Sequence, residues 1–264
     1  YFTFICRMAH LRGAKTVALI HDLGSFRRKK LSIPQEMKRL SHADAVIASN
    51  EVMEGWLRQQ GYKGFLTSLG FSDYRSTQTN EHLDAPMHRP LCIAYAGSIS
   101  MRKNAFLQAF AEHLRQCQLH LVGWVNGMPE LERNSRVVSH GYMEADQFIK
   151  TADVDFGLVW DGDSEDECRG DWGEYLRYNT PHKTSFYLRA GIPVIVWKHS
   201  AMAYMVEQTG VGICVSGLGE LEAMLQQLTE EQYAEMKSKA KILAEKMNDG
   251  GFVRASVERV LNGW

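Results

Sequence analysis

GEYLRYNTPHKTSFYLRAGIPVIVW, residues Gly173 to Trp197, reads in order as a loop, a helix start, a helix, a helix stop and a buried strand. Thr180 has the chemistry of an N-cap, its hydroxyl able to accept an orphan N–H of the first turn. Pro181 follows at the first helical position, where a missing N–H costs nothing. Phe186, Tyr187 and Leu188 supply apolar surface for a sheet, and Gly191 stands where a left-handed residue ends a helix. Pro193 opens a strand, and Val194-Ile195-Val196-Trp197 has the unbroken apolar character of a parallel strand covered on both faces.

The same helix start carries charge. Asn179 precedes the cap, and His182 and Lys183 fall in the first turn. A helix N-terminus already offers free N–H groups and partial positive charge. A lysine there opposes the helix dipole unless an anion occupies the site. Two readings follow: a phosphate-binding helix terminus, or a solvated lysine on an amphipathic helix. In both, Lys183 is unpaired in the empty protein, so its removal is expected to leave folding unharmed.

The 264 residues are 45% hydrophobic and 23% charged, an ordinary globular composition with room for one large domain or two moderate ones. A net charge of −1 argues against a nucleic-acid partner. No apolar run has membrane-spanning length, and no secretory signal pattern is present. Cys6, Cys92, Cys117, Cys168 and Cys214 are scattered and odd in number, as expected of reduced thiols in a cytoplasmic protein.

Outward from the opening stretch, strands alternate with helices. A helix over 1–10 precedes the strand 15–20, which ends in His21-Asp22-Leu23-Gly24. Arg27, Arg28, Lys29 and Lys30 form a basic loop. A helix over 35–41, a strand over 45–48, a helix ending at Gly61 and a strand over 65–69 follow. Residues 72–90 are polar, hold Pro86 and Pro90, and read as an interdomain linker. The pattern then restarts: strands over 91–96, 119–122, 137–138, 156–160, 194–197 and 211–215, with helices over 103–116, 145–152, 200–208, 218–227, 229–247 and 252–261. Such alternation means parallel sheets of βα units. The expected division is an amino-terminal Rossmann-like domain with linker (1–88), a second Rossmann-like domain (89–247) and a C-terminal helix (248–264) returning to the first.

GLVWDGDS (Gly157 to Ser164), GEYLRYNTPHK (Gly173 to Lys183) and YLRAGIPVIVW (Tyr187 to Trp197), with LIHDL (Leu19 to Leu23) and YAGSIS (Tyr95 to Ser100), resemble the bacterial β-1,6-galactofuranosyltransferases of O-antigen synthesis. They also resemble the related glucosyltransferases that decorate serine-rich adhesins. The resemblance implies an α/β GT-B fold, two Rossmann-like domains facing across a cleft. It implies a UDP-sugar donor in the carboxyl domain and a glycan or glycolipid acceptor in the cleft. In that family LIHDL lies well inside the first domain. About 30 residues per βαβ unit then suggest roughly 60–90 residues ahead of Tyr1, and an incomplete amino domain. Many retaining GT-B enzymes carry Glu-x7-Glu before this strand. Here those positions are Tyr178 and Phe186, and the resembled subfamily implies an inverting enzyme. No cofactor beyond the donor is implied. The location implied is the cytoplasm, with contact at the inner membrane face and self-association both open. A non-catalytic nucleotide-sugar-binding partner and a GT-B UDP-sugar epimerase stand as alternatives.

On that resemblance, Tyr178, Asn179, His182 and Lys183 meet the donor, and Gly97 and Ser98 allow close backbone approach to it. Lys103 adds charge, and Asp161 belongs to a mobile loop beside the donor sugar. Asp161-Gly162-Asp163 also matches the D-x-D metal signature of GT-A enzymes. Three residues in an acidic run meet that pattern by chance, and no metal is expected. Asp22, with His21, is the expected base on the acceptor side. Trp160, Trp172 and Tyr175 are candidates to stack on sugar or uracil, or else to pack in the core.

Overall fold

Apolar strands bounded by turn residues alternate with amphipathic helices. In the computed structural model, which describes residues 1–26 and 30–264, they form a three-stranded, a six-stranded and a two-stranded sheet, all parallel. Of the basic run, Arg27, Arg28 and Lys29 fall outside the described residues. The amino lobe runs α1 (Phe2–Leu11), β1 (Val17–Leu19), α2 (Ile33–Leu40), β2 (Ala45–Ala48), α3 (Glu51–Gln59) and β3 (Phe65–Ser68). The carboxyl lobe begins with β4 (Leu91–Ala96), β5 (Ile99–Ser100), α4 (Met101–Asn104), α5 (Phe106–His113), β6 (Cys117–Val122) and β7 (Val125–Asn126). It continues through α6 (Pro129–Arg133), β8 (Val137–Ser139), α7 (Ala145–Thr151), β9 (Phe156–Val159), α8 (Gly170–Glu174), α9 (His182–Arg189) and β10 (Val194–Trp197). The chain closes with α10 (Ala203–Thr209), β11 (Gly212–Val215), α11 (Leu221–Gln226), α12 (Glu230–Asn248) and α13 (Gly251–Asn262).

Local chemistry sets these boundaries. Ser32 and Gln35 form a reciprocal capping box, so α2 begins at Ile33, two residues ahead of the sequence expectation. Asn50 caps α3 by accepting from Met53 N. The helix expected over 103–116 is two short helices, α4 and α5. Asn104 at the break is fully buried and accepts from Ser100 N. At the opening stretch the cap differs from expectation: Pro181 is the N-cap of α9, and Thr180 lies outside it. The Thr180 hydroxyl instead donates to Ser49 O at 3.1 Å and accepts from Asn50 Nδ2 at 3.1 Å, joining the two lobes.

The first sheet has order β1-β2-β3, and the second β11-β10-β9-β4-β6-β8, all parallel. β4, β9 and β10 are central and buried along their whole length, as their continuous apolar sequences require. Ile93, Tyr95, Leu119, Phe156, Trp160 and Trp197 pack on one face, and Ala94, Val159, Val196, Tyr187 and Leu188 on the other. Each large apolar side chain contributes about 1.5–3 kcal/mol on burial. Tyr187 fixes α9 against the sheet: its hydroxyl accepts from Ala96 N at 2.6 Å, at the carboxyl end of β4. The chain leaves β4 to β6 on one side and returns to β9 on the other. The crevice of this lobe therefore lies beyond the carboxyl ends of β4, β6 and β9.

Residues 72–90 run along the carboxyl lobe rather than hanging free. Asn80 Nδ2 donates to Ala152 O and Ala190 O, both at 3.0 Å, and Lys237 Nζ to His82 O and Ala85 O, both at 2.9 Å. α13 crosses back to β3, where Arg259 Nε donates to Thr67 Oγ1 at 2.9 Å and Val260 packs with Ala45, Ile47 and Leu69. No helix among the described residues is long and apolar enough to cross a membrane.

Candidate active site

Three strand ends build the floor of the crevice. Gly97 N donates to Val122 O at 2.9 Å, and Gly123 N to Gly141 O at 2.7 Å, so the turns after β4, β6 and β8 are tied backbone to backbone. Gly123 has φ +140°, and a Cβ there would lie 2.0 Å from Gly97 O. Only glycine fits this approach. Above the turns opens a cavity of about 440 Å³ lined by Gly97, Ser98, Trp124, Tyr142, Glu144, His182, Lys183 and Phe186, among others.

One wall is the N-terminus of α9, with His182 and Lys183. The other carries Trp124 and Tyr142, whose rings lie parallel, 6° apart in plane with centroids at 6.1 Å. Both are more than half exposed, which is unusual for residues so apolar. The Tyr142 hydroxyl donates to Glu144 Oε1 at 2.8 Å, setting a carboxylate on the cavity rim.

Lys183 is not the unpaired cation expected from the sequence. Its side chain is 14% exposed, and Nζ lies 3.1 Å from Asp161 Oδ1 and 3.7 Å from the centroid of the Tyr95 ring. Nζ also donates to the Tyr95 hydroxyl. Burial pulls its pKa down to about 8, against the opposing pull of the Asp161 carboxylate. Burial, then Asp161, raises that of the Tyr95 hydroxyl well above its usual value.

The structure brings Gly97, Ser98, His182 and Lys183 to one cavity. The other four expected donor residues are not on its lining. Asp161 does not face the cavity: it is 8% exposed and turned inward, its Oδ1 accepting from Tyr95 Oη at 2.7 Å, Asn104 Nδ2 at 3.1 Å and Lys183 Nζ. Lys103 lies behind it, 3.7 Å from Asp161 Oδ1 and 5.4 Å from the Trp172 ring centroid. Tyr178 packs into the amino lobe, against Phe26 at 4.7 Å and Trp56 at 6.1 Å. Asn179 sits just before α9, and its buried Oδ1 has no hydrogen-bond partner among the described residues.

Two of the three aromatics read as stacking or packing residues pack in a core. Trp160 is fully buried, Tyr175 joins the amino-lobe core and accepts from Leu23 N at 2.8 Å, and Trp172 underlies Arg102 and Lys103. Trp124 and Tyr142 line the cavity instead. Their signal was positional: each directly follows a glycine that closes a strand or turn, Gly123 and Gly141. Asp161 and Asp163 do not converge: Asp163 is exposed, 3.8 Å from Arg169. Among the described residues the grouping with ligand atoms close enough for a metal is His88, Cys92 and Asp155, around the opposite end of β4. There Asp155 accepts from His88 N at 3.0 Å and Cys92 N at 2.7 Å, as a backbone anchor does.

His21 and Asp22 line a second cavity, of about 640 Å³, in the amino lobe, together with Lys30, Glu36 and Arg39. Glu36 fixes the loop after Asp22, accepting from Gly24 N at 2.7 Å and Ser25 N at 2.9 Å. The two cavities meet where the His21 and His182 rings stack, centroids 6.1 Å apart.

Two family models match this chain: the glucosyltransferase 3-like N-terminal domain over residues 1–71 and the glucosyltransferase 3-like C-terminal domain over residues 93–260. The chain belongs to the glucosyltransferase 3-like family. It is 29% identical over 248 residues to the beta-1,6-galactofuranosyltransferase WbbI of Escherichia coli K12, covering 94% of this chain and 72% of that protein. To glucosyltransferase 3 of Streptococcus gordonii it is 25% identical over 265 residues, covering 94% and 71%. Among solved structures, Anabaena Alr3699/HepE in complex with UDP and glucose superposes with a TM-score of 0.64 at 14% identity, covering 100% of this chain and 75% of that one. The lipopolysaccharide outer core galactosyltransferase WaaB superposes at 0.56 and 12% identity, covering 97% and 79%. The fold is that of GT-B glycosyltransferases, and this glucosyltransferase 3-like chain is a nucleotide-sugar-dependent transferase.

Proposed function

We propose that this enzyme moves a hexosyl unit, galactofuranose or glucose, from a UDP-sugar to a glycan or glycolipid acceptor with inversion, in the synthesis of a bacterial surface polysaccharide or glycoprotein. One observation carries the reading. An exposed parallel aromatic pair and a lysine-bearing helix terminus face each other across a single cavity floored by glycine turns. Rings such as Trp124 and Tyr142 offer a nucleobase a stacking surface, and Glu144 offers a ribose diol an acceptor. The N-terminus of α9 with Lys183 suits a diphosphate.

Transfer breaks the bond between the anomeric carbon and the β-phosphate oxygen, so negative charge grows on the β-phosphate. Lys183 and the α9 N–H groups are already in place to receive it, which is the form of preorganisation that lowers a barrier most. A base on the opposite face takes the acceptor hydroxyl's proton. Asp22, with His21 beside His182, is our candidate. The unpartnered Asn179 Oδ1 suits a sugar hydroxyl. This chemistry uses no further cofactor. It belongs in the cytoplasm, at the inner membrane face when the acceptor is a glycolipid.

The test is a panel of UDP-sugars incubated with acceptor, with the product's anomeric configuration read by NMR, with and without EDTA. Transfer from UDP-galactofuranose or UDP-glucose with inversion, insensitive to chelator, is the expected result. Retention, or activity lost to EDTA and restored by Mn²⁺, would overturn the mechanism. Conversion of the UDP-sugar without acceptor would favour an epimerase.

A further inference from the structure

Asp161 does not line the donor cavity, yet its carboxylate gathers several donors directly beside it. Its Oδ1 accepts from the Tyr95 hydroxyl, Asn104 Nδ2 and Lys183 Nζ, with Lys103 Nζ at 3.7 Å. Asn104 Nδ2 and Lys183 Nζ both reach the Tyr95 hydroxyl as well, so the four side chains form one closed network. The network spans the ends of β4 and β9, directly under the turn of Gly97. A Cβ on Gly97 would sit 3.7 Å from Lys183 Cε. Two of the three ammonium donors of Lys183 are taken, by Asp161 and Tyr95, and the side chain lines the cavity with what is left.

We infer that Asp161 is a positioning residue for the donor site: without touching the ligand, it holds the Lys183 ammonium protonated and aimed at the diphosphate position in the empty enzyme. The inference rests on the donor-site reading above and assigns Asp161 a role within it. Among the described residues, this ammonium over a buried tyrosine ring, with Lys103 nearby, has no other full negative charge in contact with it. Burial favours the neutral amine, and Asp161 opposes it, leaving Lys183 near pKa 8. A neutral Lys183 must take up a proton before it can serve a phosphate. Affinity for a diphosphate is then constant below the lysine's pKa in the empty enzyme and falls by about tenfold per pH unit above it.

The experiment is calorimetric titration of UDP into the wild type and Asp161→Asn across the pH range from about 6 to 9, in buffers of different ionisation enthalpy. In the wild type the affinity should begin to fall near pH 8, with proton uptake on binding appearing there. In Asp161→Asn the break should move down by a pH unit or more, with proton uptake already present at neutral pH and affinity recovering on acidification. A purely structural role would lower affinity by one factor at every pH and leave the break in place, which would overturn the inference. If Asp161→Asn does not fold, Asp161→Glu is titrated in its place: the displaced carboxylate should shift the pH of the break, and a break at the wild-type pH with affinity lowered by one factor throughout would overturn the inference. Failure of the wild type to bind UDP at any pH would instead sink the donor-site reading itself.

Discussion

Lys183 shows how a residue's environment reverses the meaning of its sequence position. From the sequence it is a cation opposing a helix dipole, and its loss looks harmless. In the fold it is half of a buried ion pair whose other half lies 22 positions upstream on another element, a contact no local pattern announces. Removing one member of a buried pair costs about 3–5 kcal/mol because the partner charge is left behind. Here Asp161 keeps two neutral donors, and Lys103 can close from 3.7 Å, so the lower end applies. Lys183→Ala should therefore destabilise the empty protein by about 3 kcal/mol, lowering the thermal midpoint by roughly 6–12 °C in scanning calorimetry. An unchanged midpoint would mean that Asp161 is rehydrated at no cost.

At the scale of elements, strands were legible wherever burial on both faces left an unbroken apolar run. β2 (Ala45–Ala48), β4 (Leu91–Ala96) and β10 (Val194–Trp197) have the bounds read from the sequence. Helix starts were less legible, because a cap is decided by where a side chain finds its partner. Ser32 closes a box with Gln35, whereas Thr180 leaves its helix for Ser49. Of the site, the helix terminus and Gly97-Ser98 could be read. The aromatic wall could not, since Trp124 and Tyr142 differ from the core aromatics Trp160 and Tyr175 only in facing a cavity. The glycine turns hold both walls at their spacing. Gly123→Ala forces a Cβ to 2.0 Å from Gly97 O at a φ of +140°. Strain of this kind costs about 1–3 kcal/mol. The variant should melt earlier and bind UDP about tenfold more weakly, measured by thermal shift and titration. Native affinity would show that the turns can part without moving the walls. Trp124→Ala tests the aromatic wall directly: losing a stacking surface worth about 1–3 kcal/mol should weaken UDP by roughly five- to a hundredfold, while UDP affinity equal to wild type would remove the base from that wall.

At the scale of the molecule, the loop that leads into α9 belongs to both lobes. Tyr175 and Tyr178 pack in the amino-lobe core, and Asn50 Nδ2 donates to Tyr178 O at 3.0 Å and Thr180 Oγ1 at 3.1 Å. The residues proposed to face the phosphates are thus held from the amino lobe, with α13 as the second tie. Asn50→Ala removes the cap of α3, worth about 1 kcal/mol, and loosens this junction. Turnover should fall more than UDP affinity, because in the proposed reading UDP touches the carboxyl lobe alone while transfer needs both lobes in register. Parallel losses in kcat and UDP affinity would contradict that division of labour. The central claim is that Lys183 and the α9 terminus hold the donor diphosphate. Its most direct test is calorimetric titration of UDP into wild type and Lys183→Ala at neutral pH, under conditions where both are folded. A hydrogen bond to a charged group is worth about 1.5–3 kcal/mol, so the variant should bind UDP roughly ten- to a hundredfold more weakly. Equal affinities would contradict the account and place the phosphates elsewhere.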